Sequence, residues 1–502
     1  MRAVLVAALA AVAACTAAVV GIGAALWLGA DVDTVGDRRF ERKLRIPPLL
    51  EPRVDREGRK VFDLGLREGR TELLPGTTTA TWGVNGPHLG PTLRAARGDT
   101  VQIRVTNSLP EATTLHWHGM HLPAAADGGP HQRIEPRDTW SPSWTIDQPA
   151  ATLWYHPHLM GETADHVYRG LAGLFLIDDP QANGLALPSA YGVDDIPLII
   201  QDTRLEDDGR LDFGQGVISP IGRLGDEILI NGTHAPYLDL GHRLVRLRLL
   251  NASTARIYNI GFADGRRFHL IATDGGLLDS PEPMTRIQLS VGERAEILVD
   301  FEPGERAVLR SFEPELGTNP FEGRFSGADD TFDLLELRAA EQLEDAGARP
   351  RTLVRQPETP DPDQSRRVRR FELGSRDING LKMDMRRIDD VVRVGDTEIW
   401  EVENTTGTPH NFHVHDVRFR VIQYAGGPPP PALSGLKDTV YVPPGEMVRF
   451  VTSFEDYSDP DTPYMFHCHI LEHEDRGMMG QLVVTDGSGS LEHGSHADPM
   501  SP

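Results

Sequence analysis

Short stretches in which apolar and polar residues alternate recur along the chain and predict an all-β fold. In the clearest stretch, which ends at Asn107, Val101, Ile103 and Val105 are separated by polar residues, as on a strand with one face in a core. Glycine (50 residues) and proline (38 residues) are frequent, whereas long segments with helical periodicity are hard to find. We therefore predict short strands joined by turns.

The pattern repeats, which predicts related domains. A strand ending at Asn107 is followed nine residues later by His116, the first histidine of a His-X-His pair. In the last third of the chain, Asn404 is followed nine residues later by His413, which again begins such a pair. A third copy of the strand ends at Asn251, and no His-X-His pair follows it. We infer two metal-binding copies and one without metal.

The repeat and the local composition divide the chain. We predict a targeting segment at 1–30, a linker at 31–49, a first domain at 50–180, a middle domain at 190–338, a charged linker at 340–369, a last domain at 365–487 and a flexible tail at 488–502.

The apolar run from Ala3 to Ala30 indicates an exported protein. The run is long enough to span a bilayer, which favours an uncleaved membrane anchor. An ordinary cleaved signal peptide and a lipoprotein cleavage box ending at Cys15 are the alternatives. Each of the three predicts an extracytoplasmic body, either membrane-anchored or secreted.

Charge and cysteine content argue against a nucleic-acid-binding protein and against a disulfide-stabilised fold. A formal net charge of −24 argues against nucleic acid as a partner, because its phosphates would repel the chain. The two cysteines are Cys15, in the targeting segment, and Cys468, so the folded body has no disulfide framework. Cys468 is therefore available to a metal.

Cys468 lies in the densest chemical motif of the chain. It stands between His467 and His469, and it is followed by His473 and Met478. One cysteine, histidine partners and a weak axial methionine are the ligands of a blue-copper site. Because successive side chains on a strand point to opposite faces, the two flanking histidines are free to bind a different centre.

The blue-copper set should occur only once. In the first domain, Pro157 stands at the position of Cys468 and Thr113 at the position of His410, three residues before the His-X-His pair. Neither supplies the required donor, so the mononuclear site belongs to the last domain. Met479 is the alternative to Met478 as its axial ligand.

Four His-X-His units supply a second centre, which requires the first and last domains to meet. Imidazole suits several metals, and it is the cysteine that indicates copper. The eight imidazoles are those of His116, His118, His156, His158, His413, His415, His467 and His469.

Together these motifs resemble the multicopper oxidases over residues 50–487. His-Trp-His-Gly, Trp-Tyr-His-Pro-His, His-X-X-His-X-His and His-Cys-His-X3-His-X4-Met stand in that family's order. The resemblance implies three cupredoxin-like Greek-key β-barrel domains, O2 as a substrate, and four copper ions: one type 1, one type 2 and two type 3. Stretches around Asp127 and Glu474 are most similar to the bacterial cuprous oxidases and the bilirubin oxidases.

The resemblance also implies a role for each ligand. Type 1 copper would take His410, Cys468, His473 and Met478; type 2 copper would take His116 and His413; one type 3 copper would take His118, His156 and His467, and the other His158, His415 and His469. Cys468 would join the two centres. Glu474 and Asp127 would deliver protons, since they match acidic positions of the cuprous oxidase branch.

The sequence leaves the reducing substrate open. We predict a monomeric, laccase-like oxidase of phenolic, aromatic or pigment substrates, with cuprous or ferrous ion oxidation in copper tolerance as the alternative. The cuprous oxidases carry a methionine-rich insert, but in the corresponding region this chain has only Met383 and Met385. Asp416 stands where the family usually has a glycine after the His-X-His pair of the last domain, and we expect this change to alter the substrate rim. A non-catalytic cupredoxin array is a third hypothesis, disfavoured by the complete ligand set.

Overall fold

The computed structural model describes residues 15, 16, 21, 23–214, 219–345, 347, 349–355 and 360–487. Most of the predicted targeting segment at 1–30, and all of the predicted tail at 488–502, lie outside these residues. Within the described part of the chain, no helix is both long and apolar enough to cross a membrane. Residues 23–28 are helical, and the Trp27 ring stacks on that of Phe321 at 5.6 Å between centroids.

The all-β prediction is confirmed, since the described chain forms six sheets, two in each of three domains. Helices are short and lie at Thr163–Arg169, Pro180–Asn183, Pro320–Arg324 and Leu471–Asp475, with 3₁₀ turns at Ala124–Ala126, Pro362–Gln364 and Pro431–Leu433. The first strand, β1 (Arg42–Lys43), joins a sheet of the middle domain.

The first domain is a sandwich of two sheets. Its strands are β2 (Arg53–Val54), β3 (Lys60–Glu72), β4 (Thr78–Val84), β5 (Leu93–Ala96), β6 (Thr100–Asn107), β7 (His116–His118), β8 (Thr139–Trp140), β9 (Ser143–Thr145), β10 (Ala151–His156) and β11 (Gly173–Asp178). One sheet has the order β5-β11-β10-β7 and the other β2-β3-β6-β8, with β4 on β3 and β9 on β6. Val101, Ile103 and Val105 of β6 are fully buried, as their alternation predicted.

The middle domain contains the largest apolar core. Its strands are β12 (Asp195–Thr203), β13 (Glu227–Ile230), β14 (Thr233–His234), β15 (Pro236–His242), β16 (Leu244–Asn251), β17 (Tyr258–Phe262), β18 (Phe268–Thr273), β19 (Gly276–Met284), β20 (Arg286–Leu289), β21 (Arg294–Asp300), β22 (Arg306–Phe312) and β23 (Phe332–Glu344). They form sheets β1-β15-β23-β22-β17-β20 and β14-β13-β12-β16-β21-β18-β19.

The last domain repeats the plan of the first. Its strands are β24 (Arg367–Leu373), β25 (Asp390–Arg393), β26 (Thr397–Asn404), β27 (His410–Val414), β28 (Phe419–Tyr424), β29 (Leu436–Lys437), β30 (Thr439–Val442), β31 (Met447–Ser453), β32 (Asp459–His467) and β33 (Met479–Thr485). The sheets are β24-β26-β31-β28-β29 and β25-β33-β32-β27-β30.

The same buried asparagine ends the equivalent strand of each domain. Asn107, Asn251 and Asn404 close β6, β16 and β26, each of which pairs in parallel with an earlier strand of its sheet. Each amide nitrogen donates to two backbone carbonyls, and each amide oxygen accepts from the backbone two residues on. The strand that the sequence repeat identified therefore ends in the same turn three times.

The segments predicted to be linkers are packed against the middle domain. Residues 31–49 supply β1, and Leu44 enters the middle-domain core. In the predicted linker at 340–369, β23 continues to Glu344, Leu353 is buried in the same core, and β24 begins at Arg367. Charge suggested solvated chain, but Leu44 N and Leu353 N donate to backbone carbonyls of the middle domain, so these described parts of the two segments are packed.

Candidate metal centre

Histidines of the first and last domains converge where the two domains meet. In each domain the two strands that carry them are neighbours, because β7 pairs with β10 and β27 with β32. The His116 ring stacks on that of His415 at 3.9 Å between centroids, and the His118 ring on that of His413 at 3.8 Å. The predicted requirement that the domains meet is therefore satisfied.

Three of the imidazoles, His118, His156 and His469, form what we term the His118 group. His118 Nδ1 lies 3.4 Å from His156 Nε2 and 3.1 Å from His469 Nε2, and the two Nε2 atoms lie 3.4 Å apart. All three rings are buried. Three nitrogens at this mutual distance can ligate one metal ion.

A second set, the His158 group, consists of His158, His415 and His467. His467 Nε2 lies 3.0 Å from His158 Nε2 and 3.2 Å from His415 Nε2. The predicted division of the type 3 ligands was wrong at two positions, because His467 belongs here and His469 belongs to the His118 group. Spacing along a strand places both histidines on one face but does not decide which opposing side chain each one meets.

His116 and His413 are left with one free nitrogen each. His116 Nδ1 donates to the Asp127 carbonyl at 2.9 Å, and His413 Nδ1 donates to the Asp438 carbonyl at 2.8 Å. Their Nε2 atoms are buried and have no hydrogen-bond partner within the described structure. A buried nitrogen lone pair without a donor is costly, and a cation would satisfy it.

The outer nitrogens of His415 and His156 show that the converging atoms of these two rings are acceptors. His415 Nδ1 donates to Asp127 Oδ2 at 2.7 Å, and His156 Nδ1 donates to the Pro157 carbonyl at 2.7 Å. Burial lowers the pKa of His156 and of His415 well below the usual 6.5, so both rings are neutral. Neutral nitrogens whose lone pairs face one another repel unless a cation lies among them, so the site fits a metal cluster.

The cysteine group consists of His410, Cys468 and His473. Cys468 Sγ lies 3.6 Å from His410 Nδ1 and 3.7 Å from His473 Nδ1, and the two nitrogens are 3.0 Å apart. Burial raises the pKa of the Cys468 thiol to about 12, so an adjacent cation is needed to form the thiolate. Two imidazoles and one sulfur match the ligands of a blue-copper site.

The backbone brings Met478 rather than Met479 to this group. Cys468 N donates to the Met478 carbonyl at 3.1 Å, and the Met478 side chain is buried in the same apolar cluster as Cys468. Met479 begins β33 and packs with Met383 and Met465 in a separate cluster. This packing favours Met478 as the axial ligand.

Glu474 lies behind the His158 group. Its Oε1 is 3.4 Å from His158 Nδ1 and its Oε2 is 3.2 Å from His467 Nδ1. Burial raises the pKa of this carboxyl group, but the interactions with His158 and His467 outweigh burial and lower the pKa to about 2. Glu474 is thus a buried carboxylate beside two candidate ligands.

Asp127 connects two parts of the histidine cluster. Its carboxylate accepts from His415, and its carbonyl accepts from His116. The turn requires the next residue, Gly128, because φ is +79° there and a Cβ would lie 1.9 Å from the Leu115 carbonyl oxygen. The glycine therefore allows the close approach that positions the aspartate.

Several supporting residues were not predicted. Asn411 Oδ1 accepts from His469 N at 2.6 Å and lies 3.5 Å from Cys468 Sγ. Asp438 and Thr439 contact His118 and His413. Asn411 lies within the His-X-X-His-X-His motif at an unspecified position, whereas Asp438 and Thr439 reach the site through packing and have no motif of their own.

Asp416 lies at the junction of the last domain and the first, and its expected effect on a substrate rim stays a prediction. It has a left-handed backbone, with φ of 70°, and is 7% exposed. Its carboxylate accepts a hydrogen bond at 2.7 Å from His121 Nδ1, and Asp456 accepts at 2.8 Å from His121 Nε2. The residue therefore joins the last domain to the first.

The outer edge of the cysteine group is covered by the middle domain. His473 Nε2 donates to the Pro220 carbonyl at 3.2 Å, and Arg376 Nη2 donates to the same oxygen at 2.7 Å. The guanidinium charge therefore lies beside the imidazole edge through which a reductant would deliver electrons.

Comparison with known proteins agrees with this geometry. Family models described as multicopper oxidase match residues 66–182 and 353–488. The multicopper oxidase mco of Staphylococcus epidermidis is 35% identical over 453 residues, which are 89% of this chain and 93% of that protein. The cell division protein FtsP of Xenorhabdus nematophila is 37% identical over 468 residues, which are 92% and 96% of the two chains.

A solved structure extends the likeness to the fold. The laccase-like multicopper oxidase CueO of Ochrobactrum sp. superposes with a TM-score of 0.80 and 35% sequence identity, covering 88% of this chain and all of that one. That enzyme has oxidase activity towards lignin model compounds. The superposition confirms the predicted cupredoxin-like fold.

Proposed function

The chain belongs to the multicopper oxidase family, and from that premise we propose that it is a copper-dependent oxidase that reduces O2 to water with electrons from a small organic reductant. The proposal is supported by the candidate donors, which lie together in groups that could each hold a metal ion. The donors are the His118 group, the His158 group, the Nε2 atoms of His116 and His413, and the cysteine group with Met478.

Four copper ions, one type 1, one type 2 and two type 3, would supply one-electron oxidation at the cysteine group and four-electron reduction of O2 at the histidine cluster. Cys468 is joined by peptide bonds to His467 and His469, which lie in different groups. The protein thus provides a short covalent connection between the two centres.

Reduction of O2 to two waters consumes four protons, which buried carboxylates can deliver. Glu474 lies within 3.4 Å of both His158 Nδ1 and His467 Nδ1, and Asp127 contacts His415. We propose that these two carboxylates relay protons to the cluster. Both are almost completely buried, so neither is an ordinary surface acid.

We propose a phenolic or other aromatic reductant. The positive charge of Arg376 beside the His473 edge disfavours approach by a metal cation. Met383 and Met385, the candidates for a Cu(I)-collecting pair, pack instead with Met465 and Met479. The similarity to a laccase-like enzyme also favours an aromatic reductant. Cuprous or ferrous ion oxidation in copper tolerance is the alternative.

The decisive experiment compares O2 consumption by the copper-loaded protein with a phenol, bilirubin, Cu(I) and Fe(II), each with and without excess copper. We expect phenol oxidation that does not need excess copper. Cys468→Ser is the control, and it should lose the blue band and the oxidation of every reductant. Phenol oxidation only with added copper would favour the cuprous ion alternative.

A non-catalytic role is the second candidate, because relatives named as cell division proteins are as similar to the chain as the oxidases are. This candidate predicts a copper-loaded protein that consumes no O2 with any of the four reductants. Oxidation by wild type, together with its loss in Cys468→Ser, would exclude it.

We further propose that the body acts outside the cytoplasm as a monomer, anchored or released according to the fate of residues 1–30. Cell fractionation and the mass of the mature chain would decide between retention and cleavage. Light scattering of the purified protein would measure its oligomeric state.

A further inference from the structure

The carboxylate of Asp438 is the most heavily bonded group beside the histidine cluster. Its Oδ1 accepts from His118 Nε2 at 3.0 Å, from Thr439 Oγ1 at 2.9 Å and from Arg294 Nη1 at 2.8 Å. Its Oδ2 accepts from Arg294 Nη2 at 2.5 Å. Arg294 and Asp438 are both essentially inaccessible to solvent. This is a bidentate, fully desolvated ion pair directly behind a candidate ligand.

Asp438 determines which nitrogen of His118 is free. The other members of the two histidine groups present Nε2 to one another, whereas His118 presents Nδ1. A carboxylate at His118 Nε2 holds the proton there and leaves the Nδ1 lone pair for the metal. Without that carboxylate, the proton could move to Nδ1 and the donor would be lost.

Asp438 and Thr439 also orient a candidate ligand of the last domain. His413 Nδ1 lies 2.8 Å from the Asp438 carbonyl oxygen and 3.1 Å from Thr439 Oγ1. This holds His413 Nε2 free and directed towards the cluster. Asp438 and Thr439 therefore fix the tautomers of one histidine from each metal-binding domain.

Arg294 comes from the domain that contributes no ligand. It begins β21 of the middle domain, and Nε donates to the Thr152 carbonyl of the first domain at 3.0 Å. Its backbone N donates to Asp274 Oδ1 at 2.7 Å. One residue thus contacts all three domains at the cluster.

Buried charge around the pair is nearly balanced. Lys437 Nζ lies 2.9 Å from Asp274 Oδ2 and 2.8 Å from Glu293 Oε1. Lys437 thus pairs with two of the nearby acids. Arg294 bonds both oxygens of Asp438, and its Nη1 also lies 3.6 Å from Asp274 Oδ1. Removing the guanidinium would leave the Asp438 carboxylate buried without its cation, which is strongly unfavourable.

We propose that Arg294 is a positioning residue of the trinuclear copper centre: it clamps Asp438, which in turn sets the tautomer of His118. The inference rests on the proposed function, because it concerns copper bound by these histidines. Through Arg294 the middle domain would have a specific role at a centre whose ligands come from the first and last domains.

The test is Arg294→Lys, which keeps the charge but cannot bond both oxygens of Asp438. The matched control is Arg248→Lys. Arg248 is also buried in the middle domain and pairs with both oxygens of Asp195, at 2.6 and 2.9 Å, and with Glu296, but it does not contact Asp438. Both variants therefore lose one buried bidentate ion pair.

The readouts are copper per chain, the electron paramagnetic resonance of type 2 copper, the near-ultraviolet absorption of the type 3 pair, and the blue band. In Arg294→Lys we expect an unchanged blue band, altered type 2 and type 3 spectra, and a loss in trinuclear copper affinity or O2 turnover of about 10- to 100-fold. The KM for the reductant should not change. Arg248→Lys should have wild-type spectra.

Two results would overturn the inference: wild-type type 2 and type 3 spectra in Arg294→Lys, or equal losses in the two variants. If Arg294→Lys does not fold, Asp438→Asn tests the same tautomer and should also alter the type 2 and type 3 signals while sparing the blue band. If the wild type itself lacks those signals, the proposed function fails, which is distinguishable from failure of the inference alone.

Discussion

We expect the junction between the first and last domains to become less stable at alkaline pH, because His121 loses its positive charge there. Its Nδ1 is 2.7 Å from Asp416 Oδ1 and its Nε2 is 2.8 Å from Asp456 Oδ1, so both ring N–H groups of the charged form are used. Burial lowers the pKa of this imidazole, but the two carboxylates outweigh burial and raise the pKa to about 9. The perturbation we propose is His121→Gln.

The structure gives the size of the effect. Raising a histidine pKa from 6.5 to about 9 on folding corresponds to roughly 3 kcal/mol of stability. Because the folded pKa is the higher one, this contribution is present in full below pH 6.5 and is lost as the pH rises through about 9. Glutamine does not titrate, so the variant should lack this dependence.

The assay is urea-induced unfolding of the copper-free wild type and variant from about pH 6 to about pH 10. His121→Gln should be about 3 kcal/mol less stable at the acidic end, and the two proteins should converge at the alkaline end. Asp475, with its pKa raised to about 8 by burial, also titrates in this window, but its effect cancels in the difference between the proteins.

The matched control is His131→Gln. His131 also joins the first domain to the last, but its partner is the neutral amide oxygen of Gln481. Its loss should shift stability by a similar amount at both ends of the alkaline window. If plots of the free energy of unfolding against pH stay parallel for wild type and His121→Gln, the reasoning is refuted.

Two further predictions concern the metal centres. Glu474→Gln should slow O2 turnover about 100-fold, because a carboxylate that can accept and pass on protons is lost beside His158 and His467. The blue band should stay intact, and unchanged O2 consumption would remove Glu474 from the mechanism. Met478→Leu should raise the reduction potential of the type 1 copper, whereas Met479→Leu should not, because Met479 packs in a separate cluster. Potentiometric titration measures both potentials, and a rise in Met479→Leu but not in Met478→Leu would show that the axial assignment is wrong.

Local patterns in the sequence predicted the candidate ligands and the strands that carry them. The alternation of apolar and polar residues around Ile103 predicted a half-buried strand, and that side chain is fully buried in β6. The spacing of Cys468, His473 and Met478 predicted a blue-copper set. These features depend on side-chain direction along a single segment, which strand and turn geometry fix locally.

Tertiary structure decided which distant groups meet. It placed His469 rather than His467 with His118, and it brought Asp438 and Arg294 behind that histidine. It also placed Leu44 and Leu353, from the two predicted linkers, in the middle-domain core. None of these contacts follows from a local period, because each depends on how separate sheets lie against one another. Residue spacing therefore predicted the candidate ligands, and domain packing decided which of them lie together.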